Sequence, residues 1–219
     1  MKKNSNSVFF PVLINLCKFP CLVVGGGEVA NRKVLSLQEF NADITIISPR
    51  LCKPLVDLAK ANKIKIIRKL YSKKYIKDFK IVFCATNNTK LNKIVHDDCA
   101  EQGILINVAD APSLCDFILP ANVKRGDLTI SISSQGKAPF YAKGIKEKLS
   151  QFISPDYAET TELAGDFRKL IMANLKFNSS KIKKEAFDKF LTTDWGKILA
   201  NEDKNYSREY LFKIMEEIR

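Results

Sequence analysis

Cys21-Leu22-Val23-Val24-Gly25-Gly26-Gly27-Glu28-Val29-Ala30 is the stretch from which the rest of this chain is read. The apolar run over 21–24 has the length and branching of a buried strand. Three glycines follow, and the amphipathic pattern from Ala30 to Phe40 predicts a helix. Strand, glycine turn and helix form the context in which G-x-G-x-x-G/A reads as a dinucleotide fingerprint. Here its positions are Gly25, Gly27 and Ala30. Gly25 allows the sharp turn, Gly27 lets a pyrophosphate approach the backbone, and Ala30 lets the helix lie on the strand. Cofactor contacts are therefore expected from Gly25, Gly26, Gly27, Glu28 and Val29, where free N–H groups and the helix dipole favour phosphate. The competing reading is a plain strand-to-helix turn, against which the flanking elements weigh.

Outward from this turn the same alternation repeats. Asp43–Ser48, Lys63–Arg68, Ile81–Ala85 and Ile104–Val108 read as strands, with helices at 54–62 and 91–102, the latter ended by Gly103. Continuous apolar strands alternating with helices predict an α/β fold, a Rossmann-type parallel sheet covered on both faces. Val8–Leu16 reads as a short strand or an extended lead-in. After Asp110 the rhythm changes: Phe117–Pro120 and Leu128–Ser133 read as strands joined through 124–127, followed by a helix from Pro139 to Phe152. From Pro155 only helical periodicity continues, over 157–175, 182–190 and 208–218, with breaks at 178–180 and 201–203. Boundaries are expected near Leu119 and Ser154.

Composition sets the outer bounds. The 219 residues suffice for one large or two small domains, and no apolar stretch approaches bilayer-spanning length. The polar start, Met1–Ser7, is followed by a segment without a cleavage site, so it reads as part of the fold and not a signal peptide. Six cysteines without a C-x-x-C pair, beside a single histidine, fit reduced thiols in a cytoplasmic protein and no metal site. The net charge of +12 is dispersed, with no arginine-rich tract or recognition-helix signature. Nucleic acid and membrane are not expected partners; a polyanionic small substrate would be drawn to such a protein.

In a sheet of this kind, ligands lie beyond the carboxyl ends of the strands. That selects 25–29, 48–50, 85–88 and 107–111. The acid expected about 20 residues after the glycines, to hold a ribose hydroxyl, is replaced by Ser48-Pro49-Arg50. Ser48 can still reach a ribose; Arg50 suits a 2′-phosphate or is a solvated loop residue, and these residues leave NAD and NADP open. Asp110, just past a strand, can serve as a general base or simply tie the turn before Pro112, and Asp116 competes with it. His96 falls mid-helix and reads as a surface residue.

Taken together, the landmarks resemble the precorrin-2 dehydrogenases, including the N-terminal module of siroheme synthases. The resemblance is carried by Val23–Lys33, Ala85-Thr86-Asn87-Asn88, Asn107-Val108-Ala109-Asp110-Ala111-Pro112, Phe117–Pro120 and Ile132–Pro139. It covers roughly residues 8 to 155. It implies NAD bound along the glycine turn, Ser48–Arg50 and Ala85, Thr86 and Asn87. It also implies oxidation of precorrin-2 to sirohydrochlorin, with Asp110 as the catalytic carboxylate and Asn107, Ser134 and Lys137 toward the substrate. The implied organisation is a Rossmann domain over 1–119, a small α+β dimerisation segment over 120–154 and a helical domain over 155–219, assembled as a homodimer. Two departures stand out: Asn87-Asn88 in place of an acidic pair, and Lys146-Glu147-Lys148 in place of Arg-Glu-Lys. No methyltransferase segment follows, so a trifunctional siroheme synthase is not expected. A bifunctional protein that also inserts iron into sirohydrochlorin, one that mainly does so, and a non-catalytic NAD-sensing module are the alternatives.

Overall fold

The computed structural model describes residues 8–201 and 205–218. The polar start at 1–7 and the Glu202–Asp203 part of the expected break lie outside the described residues. The chain divides into two compact units that meet in sequence between Leu119 and Pro120.

The first unit is built on a five-stranded parallel sheet. Its strands are β1 (Cys21–Val24), β2 (Ile44–Ile47), β3 (Lys65–Ile67), β4 (Ile81–Cys84) and β5 (Leu105–Val108). Their order, β3-β2-β1-β4-β5, makes β1 the centre and puts the change of winding direction between β1 and β4. Helices α1 (Glu28–Gln38), α2 (Lys53–Lys60) and α3 (Thr89–Gln102) make the crossovers.

Alternate residues of a strand point to opposite faces, so the wholly apolar strands feed two cores. Cys21 and Val23, with Phe83, pack under Val34 and Leu37 of α1 and Leu55 of α2. Leu22 and Val24, with Val82 and Ile106, pack against Val95 and Cys99 of α3. Burial drives the Cys21 thiol pKa up to about 11 and those of Cys84 and Cys99 to about 12, so these are inert packing groups. Asn88 caps α3 by accepting the Leu91 N–H at 3.0 Å, and Gly103 (φ 64°) ends it in the left-handed conformation.

The second unit opens with a hairpin, β6 (Ala121–Arg125) and β7 (Leu128–Ile132), whose two-residue turn has Gly126 at φ 55°. Helix α4 (Pro139–Phe152), with proline in its first turn, packs on both strands. The remaining helices are α5 (Tyr157–Ala173), α6 (Ser180–Thr192), α7 (Trp195–Leu199) and α8 (Tyr206–Glu216). They enclose Phe167, Phe177, Phe190, Trp195, Leu211 and Ile214, and the Trp195 indole donates to the Phe190 carbonyl at 2.9 Å. Arg125, the last residue of β6, has a structural role. Its guanidinium donates to the carbonyls of Ser150, at 2.8 Å, and Ile153, at 2.9 Å, where α4 runs out of internal donors.

The structure departs from the pattern in the sequence at three places. Residues 8–15 form no strand and carry no regular secondary structure, and Asn15 starts a 3₁₀ turn by accepting the Cys17 N–H. Phe117–Pro120 is not a strand either, and β6 begins only at Ala121. Phe117 is instead tied to the first unit, its ring edge-on to Phe83 at 5.5 Å and its carbonyl accepting from Asn107. Helix α7 was not expected, because Gly196 breaks the pattern; Asp194 nevertheless caps it through the Lys197 N–H.

Arg125→Met keeps bulk but leaves the α4 carbonyls without their donor. Urea unfolding should show a loss of about 1–3 kcal/mol in the second unit.

Candidate functional site

The glycine turn is shaped by how closely other backbone passes it. Gly25 has φ 120°, and a Cβ there would lie 2.3 Å from the Ala85 carbonyl oxygen at the end of β4. A Cβ on Gly26 would lie 2.1 Å from the Arg50 carbonyl oxygen and 2.8 Å from Ser48 Oγ. The Cys52 N–H donates to the Gly26 carbonyl at 2.8 Å, which locks the loop after β2 onto the turn. Gly26, a silent position in the fingerprint, is thus the most crowded of the three.

Gly27 is the opposite case. It caps α1 without any side-chain hydrogen bond, and a Cβ there would meet nothing within 4 Å. Among the described residues, the N–H groups of Glu28 and Val29 find no protein partner. An open approach onto free donors at a helix start fits a dinucleotide's pyrophosphate. A nicotinamide dinucleotide would be held there by Gly25–Val29.

The flanking rim residues are fixed by local hydrogen bonds. Ser48 is buried, and its hydroxyl donates to the Arg50 carbonyl at 2.6 Å, so only its lone pairs face a ligand. Pro49 and Arg50 are exposed. Beyond β4, Thr86 donates to Asn92 Oδ1 at 2.5 Å and accepts the Asn88 N–H at 3.2 Å. Asn88 is therefore used as a helix cap, a role in which asparagine and aspartate are interchangeable; Asn87 is exposed.

At the end of β5 the chain doubles back and clasps itself. The Val108 N–H donates to Cys115 Sγ at 3.1 Å, and the Ile106 N–H to Asp116 Oδ2 at 3.0 Å. Asp116, the competing acid, is thus a structural tie. Between these anchors Asp110 stands exposed in the left-handed conformation, φ 58°, which aspartate tolerates better than most residues. Asn107 is buried with its amide engaged: Nδ2 donates to the Phe117 carbonyl at 3.0 Å, and Oδ1 accepts from Lys33 Nζ at 3.1 Å.

Lys33 ends the opening motif, but nothing in its spacing along the sequence marks it as a site residue. It lies three residues beyond Ala30 on α1, and its ammonium sits 5.9 Å from the centre of the Phe83 ring. Burial pushes its pKa down, opposed in part by its electrostatic interaction with Cys115 and Asp110. A half-buried cation is thereby held in the electrostatic field of Asp110. His96 lies on α3, bonded to the neighbouring Asp97 at 3.0 Å and away from this rim. Ser134 and Lys137 belong to the second unit. Ser134 Oγ accepts the Ala138 N–H at 2.9 Å ahead of α4, and Lys137 is exposed. Among the described residues, no cluster of three or more His, Cys, Asp or Glu is placed to hold a metal, and no helix is long and apolar enough to cross a membrane.

Comparison with known proteins bears on the same stretch. A family model described as "Putative NAD(P)-binding" matches residues 12–121, the span of the whole parallel sheet. The chain belongs to this NAD(P)-binding family. Siroheme synthase of Ruthia magnifica subsp. Calyptogena magnifica is 41% identical over 160 residues, covering 73% of this chain and 34% of that protein. Siroheme synthase of Thioalkalivibrio sulfidiphilus is 30% identical over 208 residues, covering 95% of this chain and 42% of that protein. The solved structure of SirC, a precorrin-2 dehydrogenase, superposes with a TM-score of 0.75 at 26% identity, over 95% of this chain and 100% of that one. The chain spans about a third of the length of the first of these siroheme synthases. The resemblance drawn from the motifs is borne out by these homologues, and the fold is the α/β Rossmann-type architecture expected.

Two neighbouring substitutions separate packing from binding. Gly26→Ala should lower stability by about 1–3 kcal/mol in denaturant titrations, because its methyl meets backbone. Gly27→Ala should leave stability within about 0.5 kcal/mol. Its methyl would still stand where a pyrophosphate approaches, so dinucleotide affinity, followed by fluorescence, should fall at least about tenfold.

Proposed function

We propose that this chain oxidises precorrin-2 to sirohydrochlorin with NAD as the acceptor. The observation that carries the mechanism is Asp110, an exposed carboxylate on a clasped turn at the same sheet rim as the open Gly27 approach. Removing two hydrogens from the substrate requires one to leave as hydride and the other as a proton. The nicotinamide, when bound, supplies the hydride acceptor. Asp110 takes the proton as a general base, a task for which reach and orientation come first. The Cys115 and Asp116 hydrogen bonds hold its turn against β5, so the carboxylate does not have to be ordered during the reaction.

Lys33, braced by Asn107, supplies positive charge near Asp110. Lys137 and Ser134 hold substrate carboxylates, and the net charge of +12 draws a polyanionic tetrapyrrole toward the protein. The segment 120–154 serves as the dimerisation element of a homodimer between the Rossmann domain, 1–119, and a helical domain, 155–219, and the protein works in the cytoplasm. The family match and the siroheme synthase and SirC relatives support this reading.

Asp110→Asn is the cleanest test, because asparagine also tolerates the left-handed backbone that alanine would strain. NADH formation from precorrin-2, followed by absorbance, should fall at least about 100-fold. NAD should still bind. An Asp110→Asn protein with undiminished NADH production would remove Asp110 from the mechanism. Binding of NAD by the wild-type protein with no turnover of competent precorrin-2 would favour the sensor instead.

A further inference from the structure

The adenosine end of the site carries an unusual charge pattern. In dinucleotide-binding sheets, the residue at the end of the second strand reads the adenosine ribose. An acid there accepts from the 2′-hydroxyl and repels a 2′-phosphate, whereas a nearby arginine accommodates that phosphate. In this chain the residue directly after β2 is Ser48, which is uncharged and whose hydroxyl hydrogen already goes to the Arg50 carbonyl. Between Asp43 and Asp57 the only charged residues are Arg50 and Lys53, both basic.

Arg50 is also held in place. Its carbonyl oxygen accepts from Ser48 and lies against Gly26, and the Cys52 N–H to Gly26 carbonyl bond closes the loop two residues later. The backbone of Arg50 is therefore anchored directly on the turn that would cradle the pyrophosphate. Its side chain is exposed, and among the described residues no carboxylate is paired with it. A guanidinium free of acid partners presents a fork of donors that matches phosphate oxygens in pairs.

We infer that Arg50 is a specificity-determining residue that opens the adenosine end of the site to a 2′-phosphate, so that NADP binds about as well as NAD. The inference rests on the dinucleotide reading above and deepens it.

Fluorescence titrations of the full chain with NADH and NADPH, at low and high salt, test it. The wild-type protein should bind the two reduced cofactors with dissociation constants within about tenfold of each other. NADPH binding should weaken more steeply with salt, as an added ion pair requires. Arg50→Glu should raise the ratio of the NADPH to the NADH dissociation constant at least about tenfold and abolish the difference in salt dependence. Arg50→Lys, which keeps the charge without the fork, should fall between. Wild-type protein that binds NADH but rejects NADPH by more than about a hundredfold would overturn the inference and leave the dinucleotide reading intact. Equal weakening of both cofactors by Arg50→Glu would also overturn it, reducing Arg50 to a structural role. Failure of the wild-type protein to bind either cofactor would overturn both readings.

Discussion

The constraint on which the first unit depends is the close passage of three chain segments at the end of β1. Gly25 lies against the Ala85 carbonyl and Gly26 against the Arg50 carbonyl, so neither position has room for a side chain. These contacts bring together the loops after β1, β2 and β4, where the sheet changes its direction of winding. Hydrogen bonds continue the strand register into the loops: the Gly25 N–H reaches the Ile47 carbonyl, and the Ala85 N–H the Val24 carbonyl. The open approach at Gly27 is thus a by-product of packing. It is open because its neighbours are closed.

A second device acts at β5. The turn that carries Asp110 is exposed, and exposed turns are mobile unless tied down. Here Cys115 and Asp116 return to accept the Val108 and Ile106 N–H groups, and Asn107 reaches Phe117, whose ring closes on Phe83. The same Asn107 braces Lys33 from the α1 side. One buried amide therefore links the first helix, the last strand and the segment that leaves the sheet. This network also explains why Phe117–Pro120, apolar and strand-like in sequence, does not pair as a strand: its first residue is already held against the sheet face.

Much of the fold was legible because local signals and global packing agree. Short apolar runs that are rich in β-branched residues and bounded by turn residues suit strands buried on both faces, and Cys21–Val24 and Ile81–Cys84 are such strands. Proline at the start of α4 and glycine after α3 marked their ends in advance. The five-residue α7 escaped notice because Gly196 breaks the pattern, and it is anchored instead by burial of Trp195 against Phe190.

At the site, the sequence by itself determined the glycine turn, the missing acid at Ser48 and the placement of Asp110 just beyond a strand. Each follows from residue type and spacing along one segment. Tertiary structure alone decided that Gly26 is the most crowded glycine, that Asp116 is a tie, and that Lys33 stands in the field of Asp110. It also decided that Ser48 gives its hydrogen to Arg50. These facts concern groups far apart in sequence or a choice among competing local partners. Lys33 and Asn107 are 74 residues apart and meet only because α1 packs across the sheet toward β5. Such a pairing leaves no periodicity behind, since it is set by how elements pack and not by the order of residues within them.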